Sequence, residues 1–462
     1  MSGLPMTAMA EFPGDRAAGR AAAPAPVMVL GMGATGASCA RYFAARGVRA
    51  LFADTRAAPP GRKDIEAAMP DAGLLLGALP DAVPAGVVRL VLSPGVDLGL
   101  PLLADARRRG IPVVSDLDLF AAECAAPMIG ITGSNGKSTV TAMVGAMLAE
   151  EGWQAGVGAN FGTPALDLLQ PGVRAYVLEL SSFQLERSAP LPLAVAALLN
   201  LAPDHLDKHG SMAAYAAAKA RIFERSATAV VNRDDAIPAT CVPAGVRTIS
   251  FGLDAPAEGH FGVLGLPGSQ YLSFGTERLL AAAELGTTGR HNVANALAAL
   301  ALVHAAGAGL AAPVRALRAF RGLPHRMQVV AVGRGVTWID DSKATNVAAA
   351  VTSIRGLSGP LVLIAGGDGK GQDFAELAAA LRGRDAKVLL IGRDRALLAR
   401  DLGAICPVEL SGSLPAAVAR ARTLATAGTS VLLAPACSSL DMFRSYEERG
   451  EIFAREAREA AK

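Results

Sequence analysis

One stretch constrains the fold more than any other: Ile129-Gly130-Ile131-Thr132-Gly133-Ser134-Asn135-Gly136-Lys137-Ser138-Thr139. An apolar run meets a glycine-bounded turn, and Lys-Ser-Thr then opens an Ala/Met-rich helical run. A turn of this kind leaves backbone N–H groups pointing into the loop, where they and the helix N-terminus hold anionic phosphate oxygens. Gly133, Ser134, Asn135, Gly136, Lys137, Ser138 and Thr139 make up this cradle. Lys137 is placed to reach β- and γ-phosphates, and the Ser138 hydroxyl to ligate magnesium. The strict pattern has glycine where this chain has Ile131, so the motif is the variant G-x-x-G-K-S. The expectation is a nucleoside triphosphate site on a strand–loop–helix unit.

A chain of 462 residues is long enough for about two to four domains, each with its own core. Apolar residues make up 52% of it, much of that alanine, and aromatics only 5%, which fits an alanine-rich soluble α/β protein. The longest apolar stretches, 191–201 and 293–312, are interrupted by Pro192 and Asn200 and by Asn295 and His304. Neither supplies the roughly 18 uninterrupted apolar residues of a spanning helix, so no membrane partner is expected. The 44 basic and 41 acidic residues are interspersed, and the net charge of +3 gives no footprint for nucleic acid. Cys39, Cys124, Cys241, Cys406 and Cys437 are scattered and odd in number. They suit a reducing cytoplasm and speak against a disulfide framework or a zinc site. Residues 1–26, rich in Ala, Pro and Gly, lack the apolar segment of a secretory signal and are expected to be a flexible extension.

Strand and helix signals alternate in three segments, 27–117, 118–322 and 323–462. In the first, Val27-Met28-Val29-Leu30 precedes Gly31-Met32-Gly33-Ala34-Thr35-Gly36 and a helical run to about Arg46. A second strand, Ala50-Leu51-Phe52-Ala53, ends at Asp54, and further strands are expected at 90–92 and 113–114. This spacing implies a parallel, Rossmann-like sheet. The third segment repeats the pattern at 361–365, 388–391 and 431–433.

The glycines Gly31, Gly33 and Gly36, with Asp54 ending the next strand, match a dinucleotide fingerprint, and equally a tight βα turn. A lysine-bearing phosphate loop follows in the next segment, so ATP plus a nucleotide-linked substrate fits better than NAD. Asp54, Thr55 and Arg56 are then candidates for the base or sugar of that substrate. Around 180, an apolar strand ends at Glu179, where P-loop proteins place a magnesium-binding carboxylate. Asn200-Leu201-Ala202-Pro203-Asp204-His205-Leu206-Asp207-Lys208-His209 crowds two carboxylates and two histidines within six residues. Lys219 falls in an expected helix, 212–223. Three further clusters follow strands or open helices: Gly289-Arg290-His291-Asn292-Val293-Ala294-Asn295, Asp340-Asp341-Ser342-Lys343-Ala344-Thr345-Asn346 and Gly366-Gly367-Asp368-Gly369-Lys370. Strand C-termini are where open α/β sheets bind ligands.

Taken together, these residues resemble the Mur ligase family, and within it the D-glutamate-adding branch, from about Val27 to the C-terminus. The resemblance implies three α/β domains: an N-terminal Rossmann-like one for a UDP-linked substrate, a central P-loop ATPase-like one, and a C-terminal Rossmann-like one for amino acid and ATP. It implies that Lys137 and Ser138 bind ATP phosphates and Mg²⁺, and that Ser138, Glu179, His205 and a carbamylated Lys219 hold a pair of magnesium ions. Lys137, Glu179, His205 and Lys219 are thereby the catalytic group. Asn292, Asn295, Arg326 and Asp341 match adenosine and ribose contacts. Gly36, Asp54, Thr55 and Arg56 match the UDP side, and Asn160 a further substrate contact. Lys343, Thr345, Lys370 and Ser439 match the glutamate pocket, where Tyr446 stands in place of the Phe expected for that branch.

The implied reaction joins D-glutamate to UDP-N-acetylmuramoyl-L-alanine at the expense of ATP, through an acyl phosphate, by a cytoplasmic monomer in peptidoglycan precursor synthesis. A dehydrogenase would use the first glycine loop but leave Lys137, Glu179, His205 and Lys343 unexplained. A nucleotide-sensing module would need neither the metal cluster nor the C-terminal ones. A lysine- or diaminopimelate-adding sibling and folylpolyglutamate synthetase are the nearer alternatives, although the Asp-Asn-Pro-Arg tetrapeptide tied to diaminopimelate is absent.

Overall fold

The computed structural model describes residues 26–287 and 289–462. The expectation for residues 1–26 lies outside these but for Pro26. The chain divides into a unit ending at Val113 and a second unit, Val114–Lys462.

In the first, β1 (Val27–Leu30), β2 (Ala50–Asp54), β3 (Gly73–Leu76), β4 (Arg89–Leu92) and β5 (Val113–Ser115), whose first residue closes the unit, form a five-stranded sheet. The order is β3-β2-β1-β4-β5, and β1 pairs in parallel with β2 and β4. Every residue of β1 is buried, as central strands of parallel sheets are. The turn after β1 needs glycine: Gly31 has φ +95°, and a Cβ there would lie 2.7 Å from the Ser93 side chain. The helix that follows, Ala34–Ala44, stops two residues before the expected end, within ordinary fraying. Strand β3 was not anticipated. Its Leu74, Leu75 and Leu76 are only half-buried, and no alternation marks them.

The second unit holds a nine-stranded and a six-stranded sheet. The larger contains β6 (Met128–Thr132), β7 (Ala155–Ala159), β8 (Ala175–Glu179), β9 (Val195–Leu198), β10 (Thr228–Asn232), β11 (Arg247–Phe251), β12 (Phe261–Leu264), β13 (Tyr271–Phe274) and β14 (Glu277–Ala281). Its order is β14-β13-β12-β11-β10-β9-β6-β8-β7. Strand β6 therefore lies between β8 and β9, both parallel to it, and the chain leaves β6 where the strand order reverses, the place at which open sheets bind ligands. Ile129, Ile131 and Val177 share one core with Val140 and Val144 of the helix Lys137–Glu150 and Leu297 and Leu300 of the helix Arg290–Ala305. Each such buried side chain contributes about 1.5–3 kcal/mol. The antiparallel extension β12–β14 was not anticipated either. The expected helix 212–223 is α-helical only over Met212–Ala220 and tightens to a 3₁₀ turn at Arg221–Phe223.

The smaller sheet contains β15 (Gln328–Gly333), β16 (Val336–Asp340), β17 (Leu361–Gly366), β18 (Ala386–Ile391), β19 (Val408–Leu410) and β20 (Ser430–Leu433), in the order β15-β16-β20-β17-β18-β19. Side chains alternate between two cores: Ile339, Leu363 and Leu390 on one face, Trp338, Ile364 and Leu389 on the other. The three adjacent parallel strands β16, β20 and β17 end together, which gathers the loops that follow them. We propose residues near 117 and 322 as the domain boundaries; the second rests on the change of sheet between Ala281 and Gln328. Among the described residues no helix is long and apolar enough to cross a membrane.

Gly366 closes β17 with φ +110°, and a Cβ on it would meet the Ile391 carbonyl oxygen at 2.1 Å. We expect Gly366→Ala to cost at least about 2 kcal/mol in urea denaturation, from strain and collision together; an unchanged midpoint would mean that this turn is not rigid.

Candidate active site

The turn after β6 is built by backbone geometry. Gly133 has φ +153° and Gly136 φ +82°, and a Cβ on Gly136 would also lie 2.5 Å from Asn295 Oδ1. Gly136 caps the helix Lys137–Glu150 without a side-chain bond, which leaves first-turn N–H groups for a ligand. Ser134 Oγ donates to the Ala202 carbonyl (2.9 Å) and accepts from the Ala202 N–H (2.9 Å), tying the loop to the segment after β9. Lys137 Nζ is folded back onto the Gly133 (2.8 Å) and Ser134 (2.9 Å) carbonyls. Burial lowers its pKa, and Glu179 and Asp204 act against that. Ser138 and Thr139 are buried on the first helical turn.

Two carboxylates flank this turn, one after each neighbouring strand. Glu179, at the end of β8, is buried; Oε1 accepts from Asn160 Nδ2 at 2.7 Å, and Oε2 has no hydrogen-bond partner. An unpartnered buried carboxylate oxygen is costly and fits a site meant for a cation. Asp204 accepts from the His205 N–H (2.9 Å) and from Lys370 Nζ (3.3 Å). Burial opposes its charge, but Lys370, His205 and Lys137 outweigh that and hold its pKa low. His205 has φ +54°, and its ring sits edge-on to Phe183. Burial pushes its pKa down to about 4, so its imidazole is neutral and able to ligate. Lys219 is 2% exposed and donates to the Gly133 carbonyl at 2.9 Å. Burial first, then Lys137, drives its pKa well below the usual lysine value. Among the described residues no three His, Cys, Asp or Glu side chains form a metal-holding group. The metal set that the resemblance implies draws only Glu179 and His205 from these residue types.

A cavity of ≈ 590 Å³ opens beside the loop, lined by Asn135, Gly136, Thr139, Asn292, Asn295, Arg326, Asp341 and Lys343 among others. Asn295 Nδ2 donates to Asn292 Oδ1 at 3.3 Å. Lys343 Nζ lies 3.8 Å from the centre of the Tyr446 ring, and burial with Arg326 nearby brings its pKa down to about 8. Burial raises that of Tyr446. Thr345 follows in the same loop, its N–H bonded to the Lys343 carbonyl at 2.7 Å. The loops carrying Lys370 and Ser439 are zipped by paired backbone bonds between Asp368 and Ser438 (3.1 and 2.8 Å). Buried Arg449, which sequence reasoning missed, joins the third loop: it donates to the Ser342 (2.8 Å) and Cys437 (3.2 Å) carbonyls. It lies on an ordinary amphipathic helix, Tyr446–Ala461, so no local signal marks it.

In the first unit, a Cβ on Gly36 would lie 2.3 Å from the Gly31 carbonyl oxygen, so packing demands that glycine. Asp54 is fully engaged: Oδ2 accepts from the Met32 N–H (2.8 Å) and Arg56 Nη2 (2.7 Å), and Oδ1 from the Arg56 N–H (2.9 Å) and Nε (2.8 Å). The Arg56 bond, acting against burial, draws its pKa down to about 2. Asp54 thus orients the glycine turn and Arg56, while Arg56 and Thr55 are exposed.

Asp341 accepts from the Met327 N–H at 3.2 Å and from the Ser353 hydroxyl, and burial pushes its pKa from 3.8 up to about 6. As pH rises, the unfolded chain therefore releases this proton first, and stability falls between pH 4 and 6. At about 1.4 kcal/mol per unit the loss approaches about 3 kcal/mol. We expect Asp341→Asn to gain on the unsubstituted chain by about 2–3 kcal/mol between pH 4 and pH 7 in urea titrations; a difference that ignores pH would contradict this account of the site.

Residues 25–115 match the family described as Mur ligase MurD-like, N-terminal domain, residues 131–303 the Mur ligase middle domain, and residues 325–437 the Mur ligase glutamate ligase domain. The chain is 47% identical to the UDP-N-acetylmuramoylalanine–D-glutamate ligase of Nitrosococcus oceani, covering 94% of this chain and 96% of that one. It is 45% identical to the enzyme of the same name from Pseudomonas aeruginosa, covering 94% and 98%. Among solved structures, UDP-N-acetylmuramate–alanine ligase from Thermotoga maritima shares the fold at a TM-score of 0.61 and 19% identity, over 94% of this chain and 100% of that one. A pseudomurein peptide ligase type C from Methanothermus fervidus does so at 0.59 and 19%, over 89% and 97%. With relatives this similar along nearly its whole length, and three Mur ligase domains in sequence, the chain belongs to the Mur ligase family.

Proposed function

We propose that this chain joins D-glutamate to UDP-N-acetylmuramoyl-L-alanine, consuming ATP, as a cytoplasmic step in making peptidoglycan precursor. The relatives' shared name supports the choice of D-glutamate over lysine or diaminopimelate. The observation that carries the chemistry is the convergence of Lys137, Lys219, Lys343, Lys370 and Arg326 on the buried carboxylates Glu179 and Asp204 around one phosphate loop. Both partners of the first step are anions, so neutralising charge is the central requirement.

The alanine carboxylate oxygen attacks the γ-phosphorus, the bond to the β-phosphate oxygen breaks, and ADP leaves. The amine of D-glutamate then attacks the acyl carbon, loses a proton, and expels phosphate to leave an amide. Lys137, whose ammonium lies on the Gly133 and Ser134 carbonyls of the loop, would bind the transferring phosphoryl group. Asn292, Asn295, Arg326 and Asp341 would hold adenosine. Lys343, Thr345, Lys370 and Ser439 would hold the glutamate carboxylates, with Tyr446 beside Lys343. Thr55 and Arg56, the latter held by Asp54 beside the tight turn that Gly36 permits, would bind the UDP moiety, and Asn160 would be a further substrate contact. Ser138, Glu179, His205 and Lys219 as its carbamate would hold magnesium, which when bound offsets phosphate charge. Burial lowers the Lys219 pKa and so favours the neutral amine, the form that adds to CO₂ to give a carbamate and a proton.

Phosphate release from ATP with UDP-N-acetylmuramoyl-L-alanine tests the assignment. We expect release that depends on D-glutamate and not on L-glutamate, lysine or diaminopimelate; release with another amino acid moves the chain to a sibling activity. Lys137→Ala should lower kcat by about a hundredfold or more with the fold intact, and near-normal turnover would sink the phosphate-loop role. Lys219→Ala should lose activity and regain part of it with acetate or chloride, whereas full activity without either would make Lys219 a bystander.

A further inference from the structure

Asn346 ends the loop after β16 and opens the helix Val347–Arg355, where its Oδ1 accepts from the Ala349 N–H at 2.9 Å. That cap fixes the amide, and its Nδ2 faces the other way. There it donates to Asn135 Oδ1 at 3.2 Å and to Asp204 Oδ2 at 3.3 Å, in a position only 3% exposed. Asn135 is the middle of the phosphate loop. Its backbone is clamped by Asn200, which accepts its N–H (2.9 Å) and donates to its carbonyl (3.0 Å).

The other oxygen of Asp204 takes Lys370 Nζ. Gln372 completes the circuit: Oε1 accepts from the Val347 N–H at 3.0 Å, and Nε2 donates to the Gly369 carbonyl at 2.9 Å. The start of the helix and the loop bearing Lys370 are thus one braced piece. The Asn346 amide joins that piece directly to the phosphate loop.

We infer that Asn346 is a positioning residue that couples the phosphate loop to the amino-acid pocket. Phosphates filling the loop fix Asn135, Asn135 fixes Asn346, and through Asp204 and Gln372 the Lys370 loop is held ready for a carboxylate. Linkage makes the effect mutual, so the amino acid tightens nucleotide binding by the same factor. The inference rests on the reading of Lys370 as part of the glutamate pocket.

Asn346→Ser is the discriminating variant. Serine caps a helix about as well as asparagine, so the fold is kept, but its hydroxyl is too short to span to both Asn135 and Asp204. Asn346→Asp also keeps the cap and sets a carboxylate against Asp204. The readouts are KM and kcat for D-glutamate, and ADP affinity by calorimetry with and without D-glutamate. We expect Asn346→Ser to raise the KM for D-glutamate about tenfold, leave ADP affinity alone within about twofold, and abolish the effect of D-glutamate on ADP binding. Asn346→Asp should raise that KM further. Coupling retained in Asn346→Ser, or equal losses in ADP and D-glutamate binding, would overturn the inference while the unsubstituted chain still turns over. An unsubstituted chain without D-glutamate-dependent phosphate release would overturn the activity and the inference together.

Discussion

Positive charge gathered on a glycine turn is the constraint on which the rest depends. Lys137, Lys219, Lys343, Lys370 and Arg326 face two buried carboxylates, Glu179 and Asp204, around Gly133–Lys137. Cations outnumber anions there, and burial makes each charge costly. The protein meets that cost in different ways. Burial and the neighbouring Lys137 push the Lys219 pKa well down, Lys137 leans on backbone carbonyls, and Lys370 and Asp204 pair. Such an arrangement favours polyanionic ligands, whose phosphates supply the missing negative charge.

The sheets make this gathering possible. Parallel strands with one-way crossovers put all their C-terminal ends on one edge, so Glu179 after β8, the phosphate loop after β6 and Asp204 beyond β9 arise side by side without any special local design. The smaller sheet repeats the device with β16, β20 and β17, and Arg449 and the Asp368–Ser438 bonds lock the three loops into one surface. Gly366 marks where chain and chain approach too closely for a side chain, while Gly133 and Gly136 take backbone angles that L residues rarely adopt.

Much of this was legible because it depends on local pattern. The turn at Gly133–Lys137, the strand ending at Glu179 and the clusters after β16 and β17 each combine an apolar run with a polar end, and a parallel sheet converts that pattern into a site edge. Strand β3 and the antiparallel extension β12–β14 escaped notice because they are short and half-buried, or stabilised by pairing rather than periodicity. The Asp54 oxygens are taken up by Met32 and Arg56, a partnership visible only once the glycine turn folds back. Asn346 stood inside a recognised cluster, but its bonds to Asn135 and Asp204 bridge more than a hundred residues of sequence, and no spacing rule encodes them.

We propose that this concentration of charge serves phosphoryl transfer to a carboxylate. The most direct measurement uses UDP-N-acetylmuramoyl-L-alanine labelled with ¹⁸O in its alanine carboxylate, turned over with ATP and D-glutamate, with the released phosphate examined by mass spectrometry. An acyl phosphate predicts one labelled oxygen carried from the carboxylate into each phosphate. Phosphate free of label, or release of AMP and pyrophosphate instead, would contradict it.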